Sequence, residues 1–388
     1  MKNQLPAAAP TTEQAAQSEL EGLRHEIDSI DEQIVHLLSQ RFEKVHKVIA
    51  LKQVHRMPVY HPAREENLIS QRREQARRAG LDPDHIEELY RCIIRQSRVR
   101  QTVHVTRTGV RPGAKVLIVG GAGKMGSYFR HWFTESGYEV RILEVNDWPK
   151  VKELCAGIAL AFVSVPIHLA AEICTQLGPH LPPDCILADI TSIKQTPLNA
   201  MLAAHAGPVV GLHPLFGPTT SSMDKQVVVA SPGRNPEACQ WLTDQFTTWG
   251  NIVLSIQAQE HDEIMAVVQG VRHFATFAFG QFLYRRNIDL PRTLEFSSPI
   301  YRLELGMVGR FFAQDPLLYA NILLASPERR VVLKEFLDSV AENRALLESC
   351  DTERFCAEYH KIAEWFGPFC EQSLRESSYL IDKLVERF

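Results

Sequence analysis

The chain has 388 residues, 45% of them hydrophobic, and a formal net charge of −4. That length suits two or three domains with proper cores, and the mild acidity gives no electrostatic reason for a nucleic-acid or membrane partner. Eight cysteines are scattered without C-x-x-C or Cys/His metal spacing, so they read as reduced thiols and no metal site is expected. No apolar run approaches a membrane span.

Residues 1–17 are rich in Ala, Pro, Thr and Gln with no apolar stretch. This reads as a disordered tail rather than a signal peptide, and the expected location is the cytoplasm. Ser18-x-x-Glu21 is a capping box, the usual opening of a helix. Apolar residues then recur three or four apart: Leu20, Leu23, Ile27, Ile30, Ile34, Leu37, Val45 and Val48. With no break before Pro58, the spacing predicts a helix of about 38 residues, roughly 57 Å long. Arg41 and Lys52 occupy positions that the rhythm assigns to the interior, and Arg24 lies beside the seam. Snorkelling at a helix edge is the plain explanation. Buried unpaired cations are costly, however, and three along one line point to an anionic ligand.

Pro62 opens a second helix with Arg64 and Glu65 in its first turn, running to Gly80. Asp82 caps a third, with Pro83 at its first position; its stripe is Ile86, Tyr90, Ile94, Ser97 and Gln101. Arg72, Arg73, Arg77 and Arg78 read as a solvated helical face. Two short helices cannot cover so long a first one, so residues 18–104 are expected to form an all-α module that is an intertwined dimer. Residues 105–113 form a polar linker.

Residues 114–257 alternate strands and helices, the pattern of an α/β Rossmann-type domain. Val116 to Val119 is a buried strand that breaks into Gly121-Ala122-Gly123-Lys124-Met125-Gly126, followed by a helical pattern as far as Gly137. This is G-x-G-x-x-G in the strand–turn–helix setting of a dinucleotide site. Gly121 permits the tight turn, Gly123 lets the backbone approach a pyrophosphate, and Gly126 packs helix on strand. A strand from Glu139 to Leu143 ends at Glu144, placed to bind a ribose 2′-hydroxyl and to favour NAD over NADP. Strand Ala159–Val165 ends at Ser164-Val165-Pro166, and strand Cys185–Ile190 leads to Ser192 and Lys194. Strand Val209–Leu212 delivers His213-Pro214, and Gln226–Ala230 and Asn251–Ile256 add edge strands. In such a doubly wound sheet ligands bind beyond the carboxyl ends of the strands, where Ser192 and His213 present chemistry. A histidine there can take a proton from a hydroxyl while hydride leaves the same carbon. Residues 258–388 are nearly continuous helix, an all-α substrate and dimerisation region holding Gln269-x-x-Arg272-His273 and, eight residues apart, Arg302 and Arg310. At least one of these arginines reads as a carboxylate clamp.

Two sets of these residues resemble known families. Leu23-Arg24, Gln40-Arg41, Lys52, Arg64-Glu65, Ser97 and Gln101 are similar, in order and spacing, to the helical chorismate mutases fused to enzymes of tyrosine and phenylalanine synthesis. The resemblance implies that Arg24 (from the second subunit), Arg41, Lys52 and Arg64 hold the carboxylates and hydroxyl region of chorismate. It also implies that Glu65 holds the hydroxyl and that Lys52 and Gln101 donate to the ether oxygen, with Ser97 in the pocket. His61 stands where some relatives carry an acid and is left unassigned. VGGAGKMG, VSVPIH, TSIK, GLHPLFGP, QGVRHFATFAFG and SSPIYRLELGMVGRFFAQDP resemble the prephenate dehydrogenases, and the module order is that of the bifunctional mutase–dehydrogenases. This implies a catalytic His213 assisted or oriented by Ser192, Arg310 on the ring carboxylate, and His273 and Arg302 lining the pocket or supporting it. It further implies a homodimer making 4-hydroxyphenylpyruvate from prephenate with NAD, under feedback inhibition by tyrosine. Two rivals remain: another hydroxy-acid or arogenate dehydrogenase with a helical stalk, and a non-enzymatic NAD-binding regulator in which His213 is dispensable.

Overall fold

The computed structural model describes the backbone of residues 12–55, 62–105, 109–220 and 222–385, and the side chains of 17–51, 63–98, 109–220 and 222–385. The chain starts with a long helix, α1 (Thr12–His55), followed by α2 (Pro62–Arg78) and α3 (Pro83–Val105). α1 begins upstream of the expected cap at Ser18, so residues 12–17 are helical rather than part of a tail. The stretch Glu13-Gln-Ala-Ala-Gln17 consists of strong helix formers and propagates the helix past the serine. At α3 the side chain of Asp82 accepts the backbone N–H of Asp84 at 2.9 Å, as a capping residue should. The C-terminal half of α1 packs on α3, where Ile49 is buried beside Val45. The N-terminal half is bare: Leu20, Leu23, Ile27, Ile30, Ile34 and Leu37 are all exposed.

The central domain runs β1 (Lys115–Val119), α4 (Lys124–Glu135), β2 (Glu139–Leu143), α5 (Val151–Leu154), β3 (Leu160–Val163), α6 (Ile167–Leu177), β4 (Ile186–Asp189), α7 (Gln195–Ala204), β5 (Val209–Pro214), β6 (Val227–Pro232), α8 (Pro236–Thr248) and β7 (Ile252–Ser255). The strands form one sheet in the order β2-β1-β3-β4-β5-β6-β7. Neighbours are parallel except β5 and β6, which pair antiparallel with His213 opposite Val229. β5 is longer than the sequence suggests, so His213 is part of the ladder rather than just beyond it. The chain leaves β1 for β2 on one side and returns to β3 on the other, which makes the β1/β3 junction the switch point where a ligand crevice opens. Apolar runs in β1, β3 and β4 are buried on both faces, as a central parallel sheet requires. One face is sealed by Phe129, Phe133, Phe162, Phe246 and Trp249, packed mostly edge to face, for example Phe129 on Phe162 at 5.0 Å. Residues 109 and 110 of the expected linker dock on this domain: Gly109 N–H donates to Ser136 O and Val110 N–H to Gln245 Oε1, both at 2.8 Å.

The remainder is helical: α9 (Ala258–Met265), a π-helical segment Ala266–Val271, α10 (Arg272–Arg285), α11 (Leu290–Glu295), α12 (Pro299–Phe312), α13 (Pro316–Leu323), α14 (Pro327–Ser349), α15 (Thr352–Phe366) and α16 (Phe369–Val385). Asp289, Ser298, Asp315, Ser326 and Asp351 each cap the helix they precede with a side-chain hydrogen bond. No helix among the described residues is long and apolar enough to cross a membrane.

Candidate active sites

At the switch point the tight turn out of β1 is made by Gly120, not by Gly121. Gly120 has φ of +80°, and a Cβ there would stand 2.4 Å from Ser164 O, a backbone position only glycine tolerates. Gly121 is needed for packing instead, since its Cβ would press on Ile142 at 2.9 Å. Gly126 plays its expected part, as any side chain there would strike Gly120 O at 2.1 Å. Gly123 has an ordinary φ of −63°, and a Cβ would come no nearer than 3.3 Å to Gly120 O. Its smallness serves close approach of a ligand to the open N-terminus of α4, where Ala122, Gly123 and Lys124 are exposed and Met125 is half-buried. Glu144 leaves the end of β2 and accepts the Ala122 N–H at 2.7 Å, which fixes its carboxylate beside the loop. Ser164, Val165 and Pro166 leave β3 along the same crevice, held by Ser164 N–H to Val119 O at 2.9 Å. The glycine cradle, free helix end and carboxylate fit a dinucleotide with an unmodified ribose.

His213 lies at the end of β5 and is 2% exposed. Its Nδ1 is 2.9 Å from His261 Nε2, and His261 Nδ1 is 2.7 Å from Asp262 Oδ1. A carboxylate only accepts, so His261 carries its proton on Nδ1 and its bare Nε2 accepts from His213 Nδ1–H. His213 Nε2 is left as an acceptor, and the amide Nε2 of Gln269 lies 3.2 Å away. Gln269 stands in the π-helical segment, a kind of irregularity common at functional sites; its Oε1 is buried without a partner among the described residues. Burial above all, then His261, Lys194 and Arg329, hold the His213 imidazole well below its ordinary pKa, so it is neutral and able to take a proton. Burial alone would raise the Asp262 carboxyl, but bonds from His261, Gln195 N–H and Lys194 N–H lower it on balance. Beneath the site, fully buried Lys194 bonds Asp189 Oδ2 at 2.6 Å and Leu212 O at 2.7 Å, tying β4 to β5 one residue before His213.

The other expected dehydrogenase residues divide. Ser192 is half-buried beyond β4, but it is not bonded to His213, whose partners are His261 and Gln269. His261 holds the imidazole through Nδ1. His273 is half-buried against Phe311 and Tyr319; burial, then Arg272 and Arg329, lower its pKa to about 4. Arg310 is exposed and close enough to Tyr319 to act on it electrostatically, together with Arg272. Arg302 is a strut: its guanidinium bonds Leu294 O and fastens α12 to α11. His261, Asp262 and the buried Arg329 were missed because the contacts join residues far apart in sequence, though Gln269 sits in a motif already conspicuous.

In the helical module Arg41 donates to Ser97 Oγ at 2.7 Å, which in turn donates to Ile93 O at 2.8 Å. Burial above all, and Arg72 in part, lower the Arg41 pKa against an opposing effect of Tyr90. Arg72 is therefore not on a solvated face; it lies over the Tyr90 ring at 5.4 Å. Arg73, Arg77 and Arg78 do pair on the surface, with Asp84 and Glu87 or with Glu74. Glu65 is bonded by Arg98, and Arg64 is exposed beside it. Lys52 and Gln101 have helical backbones, but their side chains lie outside the described residues, as does all of His61. Arg24 is exposed, and Arg41 follows it by about 26 Å along α1, too far to serve the same pocket of one chain.

Residues 23–102 match the family described as chorismate mutase type II, 139–253 the nucleotide-binding domain of prephenate dehydrogenase, and 257–361 its dimerisation domain. The T-protein of Enterobacter agglomerans is 44% identical over 94% of this chain and 97% of its own length. That of Haemophilus influenzae is 41% identical over the same shares. Among solved structures, prephenate dehydrogenase from Aquifex aeolicus, in complex with hydroxyphenyl propionate and NAD+, superposes with a TM-score of 0.53 at 20% identity. It covers 66% of this chain and 97% of that one, a likeness of fold. A Rossmann-type sheet bearing a buried imidazole, joined to a helical mutase, defines a two-activity enzyme, an isomerase and an NAD-dependent oxidoreductase. More narrowly, the chain belongs to the bifunctional chorismate mutase/prephenate dehydrogenase family of tyrosine biosynthesis, the T-proteins.

Proposed function

We propose that the two reactions are carried by the following residues, within the divisions 18–104, 114–257 and 258–388. In the mutase pocket Arg41, Lys52 and Arg64, with Arg24 from a second copy, hold the two carboxylates of chorismate. Glu65 accepts from its hydroxyl, Ser97 steadies Arg41 at 2.7 Å, and Lys52 and Gln101 donate to the ether oxygen. A Claisen rearrangement is intramolecular and needs no nucleophile. The cations select the compact conformer and stabilise negative charge growing on the ether oxygen.

In the dehydrogenase pocket Gly121, Ala122, Gly123, Lys124, Met125, Gly126, Ser164, Val165 and Pro166 would line the NAD cradle, and Glu144 would take the ribose hydroxyl. When bound, the cofactor supplies the hydride acceptor. His213 Nε2 takes the proton of the 4-hydroxyl, displacing the Gln269 amide that now lies 3.2 Å from it. His261 and Asp262 keep the His213 Nδ1 proton in place and stabilise the imidazolium that forms. Arg310 grips the ring carboxylate, and His273 packs the pocket wall. Loss of that carboxylate aromatises the ring, which makes the step effectively irreversible. Tyrosine, with the product's ring and a carboxylate, inhibits at or near this pocket of a homodimer acting in the cytoplasm.

The observation that carries this reading is the His213–His261–Asp262 chain at the same carboxyl end of the sheet as the glycine cradle, in a protein 44% identical to a T-protein over nearly its full length. Chorismate supplied without NAD+ should yield prephenate and stop, and NAD+ should then release 4-hydroxyphenylpyruvate and NADH. Chorismate left untouched would reduce the helices to a stalk. Tyrosine should compete with prephenate, and inhibition that prephenate cannot relieve would move the inhibitor elsewhere.

A further inference from the structure

The mutase helices and the dehydrogenase sheet meet through charged side chains. Arg98 of α3 is 7% exposed and holds its guanidinium between carboxylates of two domains. Its Nε donates to Asp224 Oδ2 at 2.9 Å, and its Nη1 is bonded to Glu65 Oε2. Asp224 lies in the turn before β6 of the sheet, 126 positions away from Arg98. The side chains of Arg98, Glu65 and Asp224 keep only 9%, 15% and 7% of their surface. Lys225 adds a second cation, with Nζ 3.9 Å from the same Glu65 oxygen. Both cations engage Oε2, while Oε1 makes no hydrogen bond among the described residues.

We propose that Asp224, a dehydrogenase-domain residue, is a positioning residue for the mutase reaction: through Arg98 it keeps one oxygen of Glu65 free for chorismate. This rests on the reading of Glu65 as the acceptor of the substrate hydroxyl. A guanidinium held at Nε by one acid and at Nη1 by another has its plane fixed. With Asp224 gone, the Nε side of the fork loses its acid and the nearest carboxylate left to it is Glu65, whose two oxygens suit the bidentate arrangement arginine prefers; the substrate then loses its acceptor. Asp224 is committed to this task. Its Oδ1 is buried with no partner among the described residues, and Arg98 meets the carboxylate at Oδ2. The turn is itself held: Asp224 N–H donates to Ser222 Oγ at 3.1 Å and Lys225 N–H to Gly250 O at 2.9 Å. Ser97, next to Arg98, receives Arg41 at 2.7 Å, so one turn of α3 aligns both contacts.

The test uses the full-length dimer. Asp224→Asn preserves size and removes the charge. Mutase kcat should fall on the order of tenfold to a hundredfold, the cost of misplacing a group by about 1 Å, while KM for chorismate moves much less. Dehydrogenase constants measured with added prephenate should stay at wild-type values, and Asp224→Glu should restore part of the mutase rate. In an Arg98→Ala background Asp224→Asn should cost nothing further, because the path is already cut. Glu65→Ala separates the two readings. If the mutase survives it, Glu65 is not the substrate acceptor. If Glu65→Ala removes the mutase and Asp224→Asn leaves it at full rate, the positioning role is overturned. Equal loss of both activities, or additivity with Arg98→Ala, overturns it too.

Discussion

The sheet and the first helix use the same apolar side chains to opposite ends. Val116, Leu117 and Ile118 of β1 are 0% exposed, whereas Ile27 and Ile30 of α1 are 56% and 55% exposed. The sheet is roofed by helices of its own chain and is finished when that chain folds. α1 presents a seam that nothing among the described residues covers, and so do α15 and α16, where Trp365 and Leu374 are 81% and 69% exposed. Exposed apolar faces of this extent mark association surfaces. On the proposed assignment one catalytic centre is built within a chain, and the other takes Arg24 from a second copy.

The sharpest way to break that comparison is at the self-contained centre. His213→Asn should lower prephenate oxidation on the order of 10³-fold or more while mutase rates stay normal; a parallel fall in both would show that the centres are not separable. At the shared centre, Arg24→Ala and Lys52→Ala should each abolish the mutase. Dissociating and remixing the two variants should recover about a quarter of the sites, since half the dimers are mixed and each holds one intact pocket. No recovery would place Arg24 in its own chain's pocket. Asp262→Asn should slow oxidation on the order of 10²-fold by releasing the His261 tautomer, with KM little changed. Arg310→Ala should act mainly on KM for prephenate, raising it about tenfold, because a charge pair binds ground state and transition state alike. The smallest effect is on stability. His273 falls from an ordinary 6.5 to about 4, and His213 also lies well below its ordinary value. As pH drops below 6.5 the unfolded chain binds protons that the folded chain refuses, so stability is lost between 6.5 and about 4. Melting temperatures across that range should decline, less steeply in His273→Gln.

What could be read from the residues was local. Lys115–Val119, the glycines after it and Glu144 follow one another in the chain, and their strand–turn–helix pattern is a short-range property. His213 was legible because it ends an apolar run. The error within the loop, Gly121 for Gly120, arose because the positive φ and the clash with Ser164 O are facts about a neighbouring strand. His261 and Asp262 were invisible for the same reason: they reach His213 from 48 positions away, across the sheet's edge. Arg302 and Arg310 looked alike eight residues apart, and the bond to a carbonyl of the preceding helix, Leu294 O, marks Arg302 as a strut where Arg310 is exposed. Arg72 was misjudged with its neighbours because a run of arginines conceals which one turns inward over Tyr90.

The π-helical segment Ala266–Val271 sets a counting rule for this protein. Excising a single residue there would let the backbone relax into an ordinary helix, because i→i+5 bonding lodges one residue more per turn than i→i+4, and the helix beyond would keep its orientation. Gln269 reaches His213 from inside that irregularity, so a deletion that removed the extra residue would spare the helix beyond and withdraw the Gln269 amide. Length variation between relatives should therefore collect in the turns joining α11, α12 and α13, leaving the register from His261 to His273 unchanged.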